Sequence, residues 1–374
     1  MEFKGKARLG KKTKELVRHL QPKEIPVIDH RDLDAMGAMQ LADCGVAVVL
    51  NAADSITGRY PNLGPELLLE RGVVLIDQLG PAIFELVKDG DHIRVLGADV
   101  YLEGKKVATG RLVTREIIVA LKEEAKKNLN HEISKFVDNT IAYMEKEKDE
   151  MLTGVIIPKV KTDMQGKHVV VVVRGLNYRE DLQAIGAYIE EMNPILIGVD
   201  GGADALLEFG YRPDLIIGDM DSISEKALRS GKEILVHAYP DGRSPGARRL
   251  SELKLKYKVF PAPGTSEDIA LLLAYELGAK LIVAVGLHSN LIDFLEKGRP
   301  GMASTFLTRM KIGSILVDAK GVSQLYTGKA QYVPVPLIIA AVIPLLLLIM
   351  LATPWRDLVR LLWLGLRLFI GGLF

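Results

Sequence analysis

The stretch GVDGGADALLEFGYRPDLIIGDMDS, Gly198 to Ser222, decides the fold. The apolar run Ile195-Leu196-Ile197 leads into it and predicts a buried strand. Asp200-Gly201-Gly202 breaks that strand. Ala203 to Gly210 has the composition of a short helix with Gly210 as C-cap, and Arg212-Pro213-Asp214 turns the chain. Leu215-Ile216-Ile217 predicts a second strand, ended by Gly218-Asp219-Met220-Asp221-Ser222. Two strands thus deliver carboxylates at their C-terminal ends, where open α/β sheets bind ligands. Asp219 and Asp221 stand two apart, so they share a face of an extended chain or converge in a tight loop. Hard oxygen ligands round one pocket suit Mg²⁺, and Mg²⁺ suits phosphates. Gly201, Gly202 and Gly218 let backbone N–H groups approach a ligand, with Ser222 beside them. Asp and Gly are also common in turns, but acidic signals at consecutive strand ends favour the ligand reading.

The flanks extend the same alternation. Val169 to Val173 is an unbroken valine run, the pattern of a buried parallel strand. Arg174-Gly175-Leu176-Asn177 follows it as a second loop able to face phosphate, through Arg174 and Asn177. Asp181 to Glu191 predicts a helix. Beyond Ser222 come a helix at Ile223 to Ser230 and strands at Ile234 to Ala238 and Lys258 to Phe260. A helix at Ile269 to Leu277 and a strand at Leu281 to Val285 complete the pattern.

The succession DGG, PD and GDxDS resembles the thiamine pyrophosphokinases, over roughly Val169 to Leu325. The resemblance implies transfer of a diphosphate from ATP to thiamine. It implies Mg²⁺ and ATP as cofactors, and Asp200, Asp219, Asp221 and Asp268 as catalytic and metal-holding residues. It also departs. A Thr-Asp pair opens the matching helix in that family, and here Glu267-Asp268 stands there. The kinases carry Gly-Gly-Arg-x-Asp-His after the next strand, whereas this chain has Gly286-Leu287-His288-Ser289-Asn290-Leu291-Ile292-Asp293. The metal and phosphate part is kept better than the acceptor part.

The wider layout, with a separate N-terminal domain, an apolar tail and GRPGMASTFLTR from Gly298 to Arg309, resembles the bacterial SteA group. That group has a pyrophosphokinase-like domain and is linked to cell division. The resemblance implies a membrane-anchored, Mg-dependent nucleotide- or diphosphate-binding protein with a cell-division partner protein. An active thiamine diphosphokinase and a scaffold with a relic pocket are the alternatives.

The 374 residues divide into a basic arm (1–24), a small α/β domain (25–113), a helical linker (114–152), the kinase-like α/β domain with a mainly parallel sheet (153–330) and a tail (331–374). In the small domain, Asp32 to Asp43 reads as a helix capped by Asp32. Asn51 to Asn62 follows the strand Val46 to Leu50, and Asn51, Ser55 and Arg59 either hold an anion or satisfy their own loop. In the linker, Leu121, Ala125, Leu129, Ile133, Phe136, Ile141 and Met144 recur at helical steps. Such a helix can bridge two domains or pair with its copy in a homodimer.

Val335 to Ala352 is uncharged and of about spanning length. Arg356, Arg360 and Arg367 then fall within about 40° of one another at ~100° per residue, the stripe of an interfacial helix on membrane lipid or of a second short span. A net charge of +1 gives no global pull towards nucleic acid, and none is expected as a partner. The one cysteine, Cys44, excludes an internal disulfide. With a polar, basic start lacking a signal-peptide core, the domains are expected on the cytoplasmic side of the inner membrane.

Overall fold

The structure is a computed structural model, and it describes residues 1–149, 151, 155–288, 291–296, 301–322, 340, 342–344 and 353–371. The chain forms two compact units, Met1–Ser323 and Gln324–Phe374.

The first sheet begins where the basic arm was expected. Glu2–Gly10 is strand β1, paired in parallel with β2 (Ile25–Ile28) and antiparallel with β5 (His92–Leu96). The alternation was present, with Phe3, Gly5, Ala7 and Leu9 on the inner face and Lys4, Lys6 and Arg8 outside. Gly and Ala at the inner positions made it weak, so composition read as a solvated arm. After β1, a short helix α1 (Thr13–Leu16) drops Leu16 into the core, followed by Leu20.

Strands β3 (Val48–Asn51) and β4 (Val74–Asp77), with helices α2 (Ala35–Asp43) and α3 (Gly64–Glu70) in the crossovers, complete a parallel core of four strands. Helix α4 (Ile83–Leu86) precedes β5, and β6 (Asp99–Leu102), β7 (Lys105–Thr109) and β8 (Arg111–Leu112) close the sheet in the order β7-β6-β5-β1-β2-β3-β4-β8. The cap of α2 is Asp34, whose carboxylate accepts from the Gly37 N–H, and not Asp32. Asp32, at φ +50°, instead accepts from Thr57 N–H and Oγ1 at 2.8 and 3.0 Å.

The linker is one continuous helix, α5 (Arg115–Asp149), which buries only Ile118, Ala125 and Phe136 fully and leaves Ile133 and Ile141 exposed. The second sheet is wholly parallel, in the order β13-β12-β11-β10-β9-β14-β15. Its elements run β9 (His168–Val173), α6 (Tyr178–Ala184), α7 (Gly186–Met192), β10 (Ile195–Val199), α8 (Gly202–Glu208) and β11 (Leu215–Gly218). They continue with α9 (Glu225–Ser230), β12 (Glu233–Ala238), α10 (Pro245–Glu252), β13 (Lys258–Pro261), α11 (Ser266–Glu276) and β14 (Leu281–Val285), then α12 (Leu291–Glu296), α13 (Ala303–Ile312) and β15 (Leu316–Asp318).

The valines of β9 show why both faces are covered. Val169, Val171 and Val173 pack under α11, while Val170 and Val172 pack against Leu182 and Leu206 on the other side. Each such side chain contributes roughly 1.5–3 kcal/mol when fully buried. The chain runs outward from β9 to β13, then returns to lay β14 beside β9. The sheet order therefore reverses at β9, and crevices at the C-terminal ends of strands beside such a reversal are where α/β sheets take ligands.

In the second unit, Thr353–Gly371 forms helix α14, with Leu361, Leu362, Trp363, Leu364, Leu366 and Leu368 exposed. The apolar stretch 335–352 lies largely outside the described residues. Among the described residues no helix is long and apolar enough to cross a membrane.

Candidate functional site

The floor of the site is built by the register of β10 and β11, which sets Val199 opposite Ile217 and so brings the two loop openings together. Asp200 leaves β10 at φ +47°, and its N–H still donates to the Ile217 carbonyl at 2.9 Å. Its carboxylate lies across the Cα of Gly218, where a Cβ would stand 2.0 Å from Asp200 Oδ1. Gly218 sits at φ +152°, so glycine is required here for two separate reasons. The Met220 N–H donates to Asp200 Oδ1 at 3.1 Å, and the Asp221 N–H donates to Asp219 Oδ1 at 2.9 Å. Two carboxylates thus converge on one loop, each held by a backbone donor.

Their proximity has an electrostatic signature. Burial, then repulsion from Asp219, pushes the Asp200 carboxyl up to about 8. Asp268 is also raised by burial, but for another purpose. It closes the capping box of α11 with Thr265, and its Oδ2 accepts from Ser304 Oγ at 2.7 Å and Thr305 Oγ1 at 3.2 Å. Asp268 ties α13 to the start of α11.

The floor opens into a cleft of ≈ 1530 Å³ between the two sheets. One wall carries Asp200, Gly201, Asp219, Ser222, Arg174 and Glu267; the facing wall carries Lys11, Lys12, Lys14, Arg18, Lys122 and Lys126. Contacts cross between the walls at several points. Arg18 donates to the Asp221 carbonyl, and Arg179 pairs with Asp43 at 3.0 Å. Glu296 accepts from the Leu63 N–H at 3.1 Å and the Ala35 N–H at 3.3 Å, and burial raises its carboxyl. Tyr60, Phe136, Phe294 and Leu295 form a small apolar cluster, with the two Phe rings 6.0 Å apart.

The expected ligand set is therefore only partly assembled. Asp200, Gly201, Asp219, Ser222 and Arg174 face the cleft. Asp221 does not line it; its side chain is exposed and its backbone serves as a hinge for Asp219 and Arg18. Asp268 is sealed at 1% exposure and cannot join a metal shell with the others. Among the described residues no three Asp, Glu, His or Cys side chains are gathered for a metal ion.

Gly202 serves packing, since a Cβ would meet the Val172 carbonyl at 1.9 Å. Asn177, exposed at φ +59° before α6, stands outside the cleft lining. In the first domain the loop satisfies itself. Asn51 bonds His30 N–H and carbonyl at 3.0 and 2.8 Å and Ser55 Oγ at 2.8 Å. The Ser55 N–H donates to Asp77, and Arg59 is engaged by Glu132 of α5 at 2.7 and 2.8 Å. Asn51, Ser55 and Arg59 therefore hold the domain together and do not line the cleft.

Two spatial relations, though not the residues in them, escaped the sequence reading. Glu267 and His288 both line the cleft and are paired at 2.8 Å, across 21 residues of sequence. The lysines at 11, 12 and 14 were visible as a basic run, but nothing local says that it faces the aspartates.

Comparison with known proteins agrees with this floor. Residues 187–242 match the family model of the thiamin pyrophosphokinase catalytic domain, the segment holding Asp200, Gly218 and Asp219. The 6-hydroxymethyl-7,8-dihydropterin pyrophosphokinase of Pyrococcus furiosus is 32% identical over 103 residues, covering 24% of this chain and 44% of that protein. The chain thus spans less than half the length of that relative. A solved thiamine pyrophosphokinase from Bacillus subtilis is similar at 23% identity and a TM-score of 0.26, over 40% of this chain and 60% of that one. The family model and the Pyrococcus relative both make this part of the parallel sheet, with the paired carboxylates at its strand ends, similar to pyrophosphokinases. Within that likeness, residues 187–242 resemble the thiamin pyrophosphokinase catalytic domain.

Proposed function

We propose that this protein is a Mg-dependent nucleotide- or diphosphate-binding protein of the SteA type, held at a membrane by its tail and acting in bacterial cell division. The observation that carries the binding part is the meeting of Asp200 and Asp219 on the Gly218 loop, at the floor of the cleft. The donor set fits the metal. Mg²⁺ is commonly held by one or two carboxylates together with waters and substrate phosphates, not by an all-protein cage. The Asp200 carboxyl, raised by burial and by Asp219 beside it, is stabilised in its ionised form by a divalent cation between the two. Asp200 and Asp219 would hold the ion, which when bound neutralises charge on the transferring phosphates. The chain's own part is to position the phosphates over the β10 and β11 ends and to narrow the site to water between two domains.

The Pyrococcus relative is named for a hydroxymethyl pterin, and that is one candidate acceptor. Thiamine is the other, and turnover with thiamine is the alternative reading. The altered Gly286 to Asp293 segment argues against it. The exposed apolar side chains of α14 support the tail's role at a membrane.

The test is titration calorimetry of ATP with Mg²⁺, followed by an assay for AMP release with thiamine or the pterin. Binding that is lost in Asp219→Asn supports the reading. Equal affinity in the variant removes Asp219 from the site, and robust thiamine-dependent AMP release promotes the alternative.

A further inference from the structure

We infer that the N-terminal domain completes the phosphate site of the kinase-like domain, with Lys14 and Arg18 facing Asp200 and Asp219 to take the polyphosphate of a nucleoside di- or triphosphate. This rests on the nucleotide-binding reading above and adds a second, cationic wall to it. Lys14 is exposed at the cleft and has no ion-pair partner among the described residues. The neighbouring cations are already committed, Lys12 to Glu15 at 3.0 Å and Lys122 to Glu66. Arg18 donates to the carbonyl of Asp221, which pins α1 directly over the aspartate loop.

A second observation, on the opposite wall, points to the same ligand. Arg174 lines the cleft with its Nε buried and unpartnered, while its NH2 reaches Glu208 only at 3.7 Å. A buried unsatisfied donor on a cation costs free energy that an anionic ligand would recover. The volume agrees, since ≈ 1530 Å³ exceeds the roughly 300–1,000 Å³ of ordinary small-ligand pockets. Phosphates lying between the walls would meet the metal-holding carboxylates on one side and Lys14, Arg18 and Arg174 on the others. Lys14 is a point charge and Arg18 a fork, the usual division for phosphate recognition.

The experiment measures ATP, ADP and AMP affinity with Mg²⁺ by calorimetry in the full chain. The variants are Lys14→Ala, Lys14→Glu and the remote exposed control Lys256→Ala, which removes the same charge. Lys14→Ala should weaken ATP about tenfold and AMP about twofold or less, and Lys14→Glu should weaken ATP further, with Lys256→Ala unchanged. A loss equal for AMP and ATP would mean the lysine does not read the polyphosphate and would overturn the inference. Wild-type binding with Lys14→Ala unaffected would overturn it while leaving the nucleotide reading intact. No nucleotide binding by the wild type would remove both.

Discussion

Asp200→Asn should make the protein more stable while removing nucleotide binding, and the size of the gain follows from the site. The Asp200 carboxyl is raised from 3.8 to about 8, by burial first and by Asp219 second. At pH 7 the folded chain holds a proton there that the unfolded chain has released. At ~1.4 kcal/mol for each pH unit, the penalty is on the order of 4 kcal/mol. The sign is fixed by linkage. Below about pH 4 both states are protonated and the penalty is absent; it grows with pH and levels off above about pH 8. Asparagine is neutral in both states and keeps an oxygen for the Met220 N–H, so the variant avoids the penalty without losing the bond. Urea unfolding at pH 4.5, 6 and 8, with hydrogen exchange in β9 and β10 as the local readout, should show the excess stability of the variant rising with pH. A variant that is less stable at pH 8, or an excess independent of pH, would refute the argument. A divalent cation bound between Asp200 and Asp219 would offset this cost by stabilising the ionised form.

The remaining predictions concern the joints of the molecule. Glu296→Ala leaves the Ala35 and Leu63 N–H groups without their acceptor, at about 1–3 kcal/mol each. Hydrogen exchange at those two amides should quicken more than in the strands of either sheet; unchanged protection would mean Glu296 is not the latch. The full chain should sediment with membranes and resist high salt, because salt screens charges but does not weaken apolar insertion. A chain ending at Gln331 should be released and keep its ATP affinity, and release of the full chain by salt alone would remove the anchor.

The kinase-like half was legible because its signals are local. Apolar runs at Val169 to Val173 and Ile195 to Ile197 mark strands whose ends carry the acids. The Gly218 requirement, too, follows from residues only eighteen apart in the chain. What failed were statements about side-chain direction. Asp268 was read as a ligand by its place in the motif, yet the third position of a helix is also where a capping box places an acid, and there the box with Thr265 took the carboxylate. For Arg59 the sequence left open an anion or its own loop, and the structure gives neither. Its partner Glu132 lies 73 residues away on a helix whose docking no periodicity specifies. The cleft itself rests on pairs such as Arg18 with Asp221, 203 residues apart, and on β1, whose inner face is too small-sided to announce a strand.

The segment that departs from the kinases gives these observations a common origin. Where they carry the acceptor element, this chain places His288 against Glu267 and runs into α12. That helix spends Asp293 on Lys320 at 2.9 Å and Glu296 on two backbone amides of the N-terminal domain. Phe294 and Leu295 of the same helix pack against Tyr60 and Phe136. While His288 and Asp293 are engaged within their own domain, through Glu296, Phe294 and Leu295 this segment binds a second domain. That domain brings cations to the aspartate loop. A positively charged wall is a poor receptor for a thiazolium cation and a good one for an anion. An acceptor taken here should therefore be neutral or anionic. This ordering of acceptors also separates the pterin candidate from thiamine in the AMP-release assay.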